Sequence, residues 1–331
     1  MGFGDLPPIE KTEIYLDAAF KKARTNAREH TLSEHEKSPL NRTKTLALIK
    51  VNTVNDHLIG KMENIIAKYP NFDNLNEFYT QLLKHSLNYK QLKKSLGGIN
   101  WLKDQIKKFS RDFAQKIKRS IDANAIDGLT KQYYGRIASL FKQVKKDLTF
   151  LHFARQALRE FPSVKEDLFT VCITGFPNVG KSTLLTKITT AKPEINSYAF
   201  TTKKLNLGYR KTQGTKIQFI DTPGTLNRPE QMNPVEKQAY LAVRYLADLV
   251  LFVYDLTEMS GYTLKDQQKL FKTIKTSGKP LICYLSKTDI LDDLTIENFE
   301  RTFEGKKIPL ATTQEELLDM LEKYRQEIKP Y

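Results

Sequence analysis

The nine residues Gly175-Phe-Pro-Asn-Val-Gly-Lys-Ser-Thr183 (GFPNVGKST) follow the apolar run FTVCIT and precede an apolar helical stretch. A G-x-x-x-x-G-K-S spacing between a strand and a helix is typical of a phosphate-binding loop. Gly175 and Gly180 permit backbone angles and close approaches that a Cβ would block. Amide groups of the loop and of the helix N-terminus can then point at an anion. A chance glycine turn is the alternative, but the flanking strand and helix favour a nucleoside triphosphate site.

Individual side chains of this loop have expected roles. We expect Lys181 to reach the β- and γ-phosphates and Ser182 to ligate Mg²⁺. Three further residues of the same stretch are predicted nucleotide contacts, namely Asn178, Val179 and Thr183.

Two later stretches lie where a nucleotide switch needs them. Asp221-Thr-Pro-Gly224 ends an apolar run, so that the Asp221 carboxylate can hold Mg²⁺ through water and the Gly224 amide can sense the γ-phosphate. In Tyr198-Ala-Phe-Thr-Thr202, Thr202 can complete the Mg²⁺ shell, with Thr201 as the alternative. Thr pairs in loops more often form turns or caps, so this prediction depends on the neighbouring motifs.

Ser286-Lys-Thr-Asp289 follows another apolar run, where guanine-binding proteins usually place Asn-Lys-x-Asp. Asp289 can accept hydrogen bonds from guanine N1–H and N2–H₂. Adenine would leave this carboxylate unpaired, at a cost of about 1–3 kcal/mol or more. The Lys287 stem can cover the base, whereas Ser286 is shorter than Asn and recovers only part of the Asn contacts through its hydroxyl. Before the last helix, Ala311 is the candidate donor to guanine O6.

The order of these four motifs along the chain predicts GTP and GDP as ligands, with Mg²⁺. Because Ser286 replaces the usual Asn, we expect somewhat reduced affinity.

The two halves of the 331 residues have different hydrophobic periods. Apolar side chains recur at helical spacing from Leu102 to Ile117, and from Leu129 to Leu151 in a helix expected to continue to about residue 160. Later apolar runs alternate with helical segments, which favours a mostly parallel sheet. We therefore predict an N-terminal all-α helical bundle over residues 1–163. An α/β P-loop domain with a six-stranded sheet and helices on both faces is predicted over 164–331.

The formal net charge of +15 is concentrated in the first half. Residues 1–165 carry 30 Lys and Arg against 17 Asp and Glu, whereas residues 166–331 carry 23 against 21. One predicted helix holds the basic cluster Lys103, Lys107, Lys108, Arg111, Lys118 and Arg119. A solvated helix face, a nucleic-acid contact and an anionic membrane contact remain open readings.

Two cysteines, Cys172 and Cys283, lie in apolar runs and predict buried free thiols. The absence of a disulfide framework fits a reducing compartment, and no apolar run is long enough to span a membrane. We expect a cytoplasmic protein.

Together, GFPNVGKS, Tyr-x-Phe-Thr-Thr and Asp-Thr-Pro-Gly resemble the Obg-like translation-factor GTPases. Residues 221–262, with their Arg-Pro, Glu-Lys-Gln-Ala and Ser-Gly-Tyr elements, and the opening Leu-Pro-Pro resemble the nucleolar GTP-binding protein 1 family. The short stretch after the last motif suggests a compact, archaeal-type member. This resemblance implies GTP hydrolysis in large ribosomal subunit assembly, with the basic helical domain binding rRNA and the subunit precursor. Membrane and DNA are not expected partners.

Thr225 occupies the position where small signalling GTPases have a water-positioning Gln. We therefore expect slow intrinsic hydrolysis, with Lys181, Thr202 and Gly224 as the catalytic residues. Asn178 resembles the Asn that helps bind K⁺ in related GTPases, and a plain loop hydrogen bond is the alternative. Two other functions stay open: an RNA-binding assembly scaffold whose G domain scarcely turns over, and a membrane-recruited signalling GTPase.

Overall fold

The computed structural model describes residues 3–31, 38–190, 194–197, 204–212, 214–222, 234–305 and 307–329. The chain divides into two compact units. A helical unit comprises residues 4–73 and 87–159, and an α/β unit comprises Phe3, residues 74–86 and the chain from Glu160 onward.

Helices precede the first strand throughout the described part of the N-terminal half. In chain order they are α1 (Thr12–Glu29), α2 (Pro39–Lys68), α3 (Glu77–Ser86), α4 (Tyr89–Arg119), α5 (Ala123–Gln143) and α6 (Lys145–Arg159). All of them except α3 belong to the helical unit. Helices α2 and α4, of 30 and 31 residues, make the most extensive contacts within it. The predicted stripe of α4 faces this core: Leu102, Ile106, Phe113 and Ile117 are buried and Phe109 is half-buried.

The single helix predicted from Leu129 to about residue 160 is wrong, because α5 and α6 are separate. The break is Val144, with φ −95° and ψ 8°. Tyr133, Phe141 and Leu148 are nevertheless all buried, because a one-residue break barely disturbs the helical spacing of the stripe.

Strands and helices alternate in the α/β unit. They are β1 (Phe169–Thr174), α7 (Lys181–Ile188), β2 (Glu194–Ser197), β3 (Lys204–Lys211), β4 (Lys216–Asp221), α8 (Pro234–Tyr245), β5 (Leu249–Tyr254), α9 (Leu264–Lys275), β6 (Leu281–Leu285), α10 (Asp293–Arg301), β7 (Leu310–Ala311) and α11 (Gln314–Ile328). The sheet order is β2-β3-β4-β1-β5-β6-β7. Strands β4, β1, β5, β6 and β7 run parallel, whereas β3 pairs antiparallel with both β2 and β4.

The predicted fold class is confirmed: a helical N-terminal region precedes a mostly parallel P-loop sheet. In the described residues this sheet has seven strands rather than six. The central strands are buried along their whole length, and Cys172 in β1 and Cys283 in β6 are fully buried and form no disulfide within the described residues. Since parallel strands end at the same edge, the loops after β1, β4, β5 and β6 meet there.

Helix α3 folds with the α/β unit although it lies in the N-terminal half of the chain. The hydroxyl of Tyr79 donates to the carbonyl of Pro162 at 2.7 Å and accepts from the amide of Val164 at 3.0 Å. The predicted domains, residues 1–163 and 164–331, are defined by sequence pattern, whereas the compact units are defined by contacts and divide the chain at other residues. The boundary after residue 163 stays a prediction. None of the helices in the described ranges combines the length and the apolar character needed to cross a membrane.

Candidate functional site

The loop between β1 and α7 has a backbone that requires its glycines. Gly175 has φ 143°, and a Cβ built there would lie 2.7 Å from the carbonyl oxygen of Val253. Gly180 has φ 97° immediately before α7, and Asn178 has φ 64°. These residues with positive φ turn the chain sharply before the N-terminus of α7. Such a turn can direct backbone amides toward a bound anion.

Lys181 begins α7 with a buried side chain. Its Nζ donates to the carbonyl oxygen of Phe176 at 2.7 Å. Burial lowers the pKa of Lys181 below its usual 10.5, and the Asp221 carboxylate partly offsets that effect. A desolvated ammonium gains more from an arriving phosphate than an exposed one would, because the local dielectric is low.

Ser182 and Asp221, the two predicted Mg²⁺ ligands in the described part of the chain, are in contact. The Ser182 hydroxyl donates to Asp221 Oδ2 at 2.5 Å, and Asn206 Nδ2 donates to the same oxygen at 3.1 Å. Within the described residues, Asp221 Oδ1 is buried and has no hydrogen-bond partner. An orphaned carboxylate oxygen beside a hydroxyl fits a hard cation that prefers oxygen ligands, so these residues fit Mg²⁺.

Asn206 was not predicted from the sequence as a contact of Asp221. It stands directly opposite Asp221 in the register of β3 with β4, which only the sheet pairing reveals.

Ser286 connects the predicted base-reading motif to the phosphate loop. Its buried hydroxyl lies 2.7 Å from the carbonyl oxygen of Val179 and 2.8 Å from that of Tyr254. A Cβ built on Gly180 would lie 3.5 Å from Ser286 Cβ, so the two segments are in close contact. The hydroxyl therefore supplies a direct contact to the phosphate loop, in line with the expectation that it would recover part of the Asn contacts.

Lys287 is held by a fully buried carboxylate that the sequence analysis missed. Its Nζ donates to Asp255 Oδ2 at 2.7 Å. Gln267 binds both backbone groups of Asp255, accepting from its amide at 2.9 Å and donating to its carbonyl at 2.7 Å. Burial alone would raise the pKa of Asp255, but hydrogen bonds from Lys287 and Thr257 outweigh it and lower the pKa. The ion pair therefore fixes the position of the Lys287 side chain.

Asp289 lies just after β6, and Ala311 lies in the neighbouring strand β7. Asp289 is exposed in a short 3₁₀ turn, Thr288–Ile290, just after β6. Ala311 is buried in β7 opposite Tyr284 of β6. Thr183, the last predicted loop contact, is exposed in the first turn of α7.

The Ser-Gly-Tyr element also packs at this edge of the sheet. The Tyr262 ring stacks on Phe176 of the phosphate loop, with centroids 4.0 Å apart and planes 18° apart. The Ser260 amide donates to Asp255 Oδ2 at 3.3 Å. This element therefore supports both the phosphate loop and the carboxylate that holds Lys287.

Thr201, Thr202, Gly224 and Thr225 lie outside the described residues. Their predicted roles stay predictions.

The predicted basic cluster lies on α4. Lys107, Lys108, Arg111, Lys118 and Arg119 are exposed, whereas Lys103 is half-buried. Two carboxylates interrupt the cluster: Asp104, 3.7 Å from the Lys103 ammonium, and Asp112. The cluster is thus mostly exposed, and its cations are interspersed with two carboxylates.

Comparisons with known proteins cover both units. Residues 3–165 match a family model described as the NOG1 N-terminal helical domain, and residues 170–287 match one described as 50S ribosome-binding GTPase. An uncharacterized protein of Methanocaldococcus jannaschii is 39% identical over 246 residues, which span 74% of this chain and 69% of that protein.

Two eukaryotic relatives have the same name, nucleolar GTP-binding protein 1. Nucleolar GTP-binding protein 1 of Drosophila melanogaster is 34% identical over 85% of this chain and 45% of its own length. The Saccharomyces cerevisiae protein of that name is 30% identical over 93% of this chain and 48% of its own length. The chain thus spans a little under half the length of these two relatives, and it belongs to the nucleolar GTP-binding protein 1 family.

Proposed function

We propose that this protein binds GTP, hydrolyses it to GDP and acts as a switch in large ribosomal subunit assembly. The observation that carries the nucleotide part is the hydrogen bond from Ser286 to the Val179 carbonyl. It joins the phosphate loop to the Ser-Lys-Thr-Asp motif, so that one ligand with a triphosphate and a guanine base would contact both. We propose the cytoplasm as the compartment.

Different residues of the site would bind the phosphates, the base and the metal ion. The loop amides and Lys181 bind the phosphates, Asp289 accepts from the guanine edge, and Lys287 covers the base. Ser182 and Asp221 would hold Mg²⁺, which neutralises charge on the β- and γ-phosphates when bound. An Ala311 amide contact to guanine O6 completes base recognition.

Hydrolysis is expected to be slow without a partner. The sequence has Thr225 where small signalling GTPases have Gln, and Thr is too short to orient an attacking water. Asn178, in a left-handed conformation within the loop, is our candidate for a K⁺ contact that would add positive charge beside the phosphates. Turnover should then be faster in K⁺ than in Na⁺.

Contact with rRNA is proposed for the helical unit. Support comes from the charge excess of residues 1–165, from the exposed cations of α4, and from the descriptions of the matching families. Binding of structured RNA through phosphates and shape needs such a surface and no base-specific pocket.

A charge-reversal experiment tests this RNA contact. In the test variant, Lys107, Lys108 and Arg111 become Glu. A matched control reverses Lys21, Lys22 and Arg28, which are exposed on α1 and have the same composition. Affinity for large-subunit rRNA should fall in the test variant, and the salt dependence should decrease by about one unit of slope per lost phosphate contact. Equal effects in both variants would contradict a site on α4.

The switch itself is tested by particle release. Purified large-subunit precursor is incubated with protein carrying GDP or a non-hydrolysable GTP analogue, and the bound fraction is measured. Retention with the analogue and release with GDP are expected. Equal retention in both states would contradict the switch and favour an assembly scaffold.

A further inference from the structure

A second concave site lies in the α/β unit, between α9 and α10. Its cavity has a volume of about 650 Å³, within the range typical of ligand pockets. One lining residue, Tyr254, also contacts the nucleotide site, where its backbone carbonyl accepts from the Ser286 amide at 2.9 Å. None of the other described lining residues was assigned to that site.

The floor of this cavity is aromatic. Tyr254 and Phe299 are buried and Phe271 and Phe303 are half-buried. Tyr254 and Phe299 have ring centroids 5.3 Å apart and planes at 68°, and Phe299 and Phe303 have centroids 5.3 Å apart and planes at 59°. Because the rings pack at steep angles, they form an irregular apolar hollow rather than a flat platform for stacking bases.

The rim of the cavity is basic. Lys272 and Lys275 on α9 and Lys307 before β7 are exposed and line the mouth. No acidic side chain is present among the described lining residues. Three cations around an apolar hollow repel one another, and an anionic ligand with an apolar group would relieve that repulsion while covering the rings.

We propose that this cavity binds an acidic peptide segment of a protein partner. One aromatic or large aliphatic side chain of the segment occupies the hollow, and flanking carboxylates face the three lysines. Among the described residues, this site shares only Tyr254 with the nucleotide site, and it does not depend on the function proposed above. RNA is disfavoured because its bases would need an open ring face.

The test uses a fluorescein-labelled synthetic peptide with a central Phe flanked on both sides by Asp and Glu, titrated with the full chain at low salt. A variant with Lys272→Glu and Lys275→Glu is compared with a control carrying Lys265→Glu and Lys269→Glu. The control residues are exposed on the same helix but do not line the cavity. Reversal at the rim should weaken peptide binding about tenfold, and the control should change it little.

Two further measurements separate the cavity from general charge attraction. Replacing the central Phe of the peptide by Ala should weaken binding. Gln268→Trp, a change at an exposed α9 position that lines the cavity, should block it without removing a core side chain. Equal loss in the rim and control variants, or equal binding of the Ala peptide, would overturn the proposal. Displacement of the peptide by single-stranded RNA with a tighter, rim-dependent affinity would also overturn it.

Discussion

Ser286→Ala should weaken GDP binding without unfolding the protein. The Ser286 hydroxyl lies 2.7 Å from the Val179 carbonyl and 2.8 Å from the Tyr254 carbonyl, yet it has one hydrogen and can donate to one of them at a time. The substitution therefore removes one buried hydrogen bond, worth about 1–2 kcal/mol. If all of that energy serves to hold the phosphate loop in its GDP-binding conformation, its loss raises the Kd for GDP about 5- to 30-fold.

The assay is a titration of GDP against wild type and variant by calorimetry, with thermal unfolding of both proteins recorded in parallel. Ser260→Ala is the matched control, because the buried Ser260 hydroxyl has no hydrogen-bond partner within the described residues. Its removal should leave the Kd unchanged. If Ser286→Ala binds GDP as wild type does, or if Ser260→Ala loses as much affinity, the hydroxyl does not tether the loop and our reading of the site is refuted.

Three further predictions concern the same edge of the sheet. Gly175→Ala should lower the free energy of unfolding by about 1–3 kcal/mol, because the new Cβ would lie 2.7 Å from the Val253 carbonyl; denaturant unfolding measures it, and an unchanged midpoint would refute the loop geometry. Asp255→Asn should weaken GDP binding about tenfold by releasing Lys287, a loss that the same titration detects and that an unchanged Kd would exclude. Burial lowers the pKa of Lys181 below 10.5, so between the lowered pKa and 10.5 the unfolded chain binds more protons than the folded chain. The stability of the wild type should therefore rise with pH across that window relative to Lys181→Met. Thermal unfolding at several pH values measures this, and the same pH dependence of Tm in both proteins would contradict it.

Long apolar periodicities were readable from the sequence. Helix α1, Thr12–Glu29, contains no Gly or Pro, and strand β4, Lys216–Asp221, is a short run rich in apolar residues, so both can be read from local sequence. Buried Cys172 and Cys283 were also predicted correctly from their apolar runs.

Short and peripheral elements were not predicted. Strand β7 has two residues, too few to show an alternation, and β2 is a four-residue edge strand. Helix α2 begins at Pro39 because the Ser38 side chain accepts a hydrogen bond from the Asn41 amide and caps the helix. Helix α3 was missed because its ten residues give less than three turns of pattern.

The site separates into local and non-local parts. The phosphate loop was predictable because its spacing and its strand–helix context lie within one continuous segment. The Asp255–Lys287 ion pair and the Asn206–Asp221 hydrogen bond join residues far apart in sequence. Only the sheet order and register bring those pairs together, so no local pattern could reveal them.

Nucleotide selectivity is the most direct measurement of the central claim. GTP, GDP and ATP are titrated into the wild-type chain with Mg²⁺, and again into Asp289→Ala. We expect comparable binding of GTP and GDP, much weaker binding of ATP, and loss of that preference in Asp289→Ala. Equal affinity for ATP and GTP in the wild type would contradict guanine recognition by Ser286-Lys-Thr-Asp289.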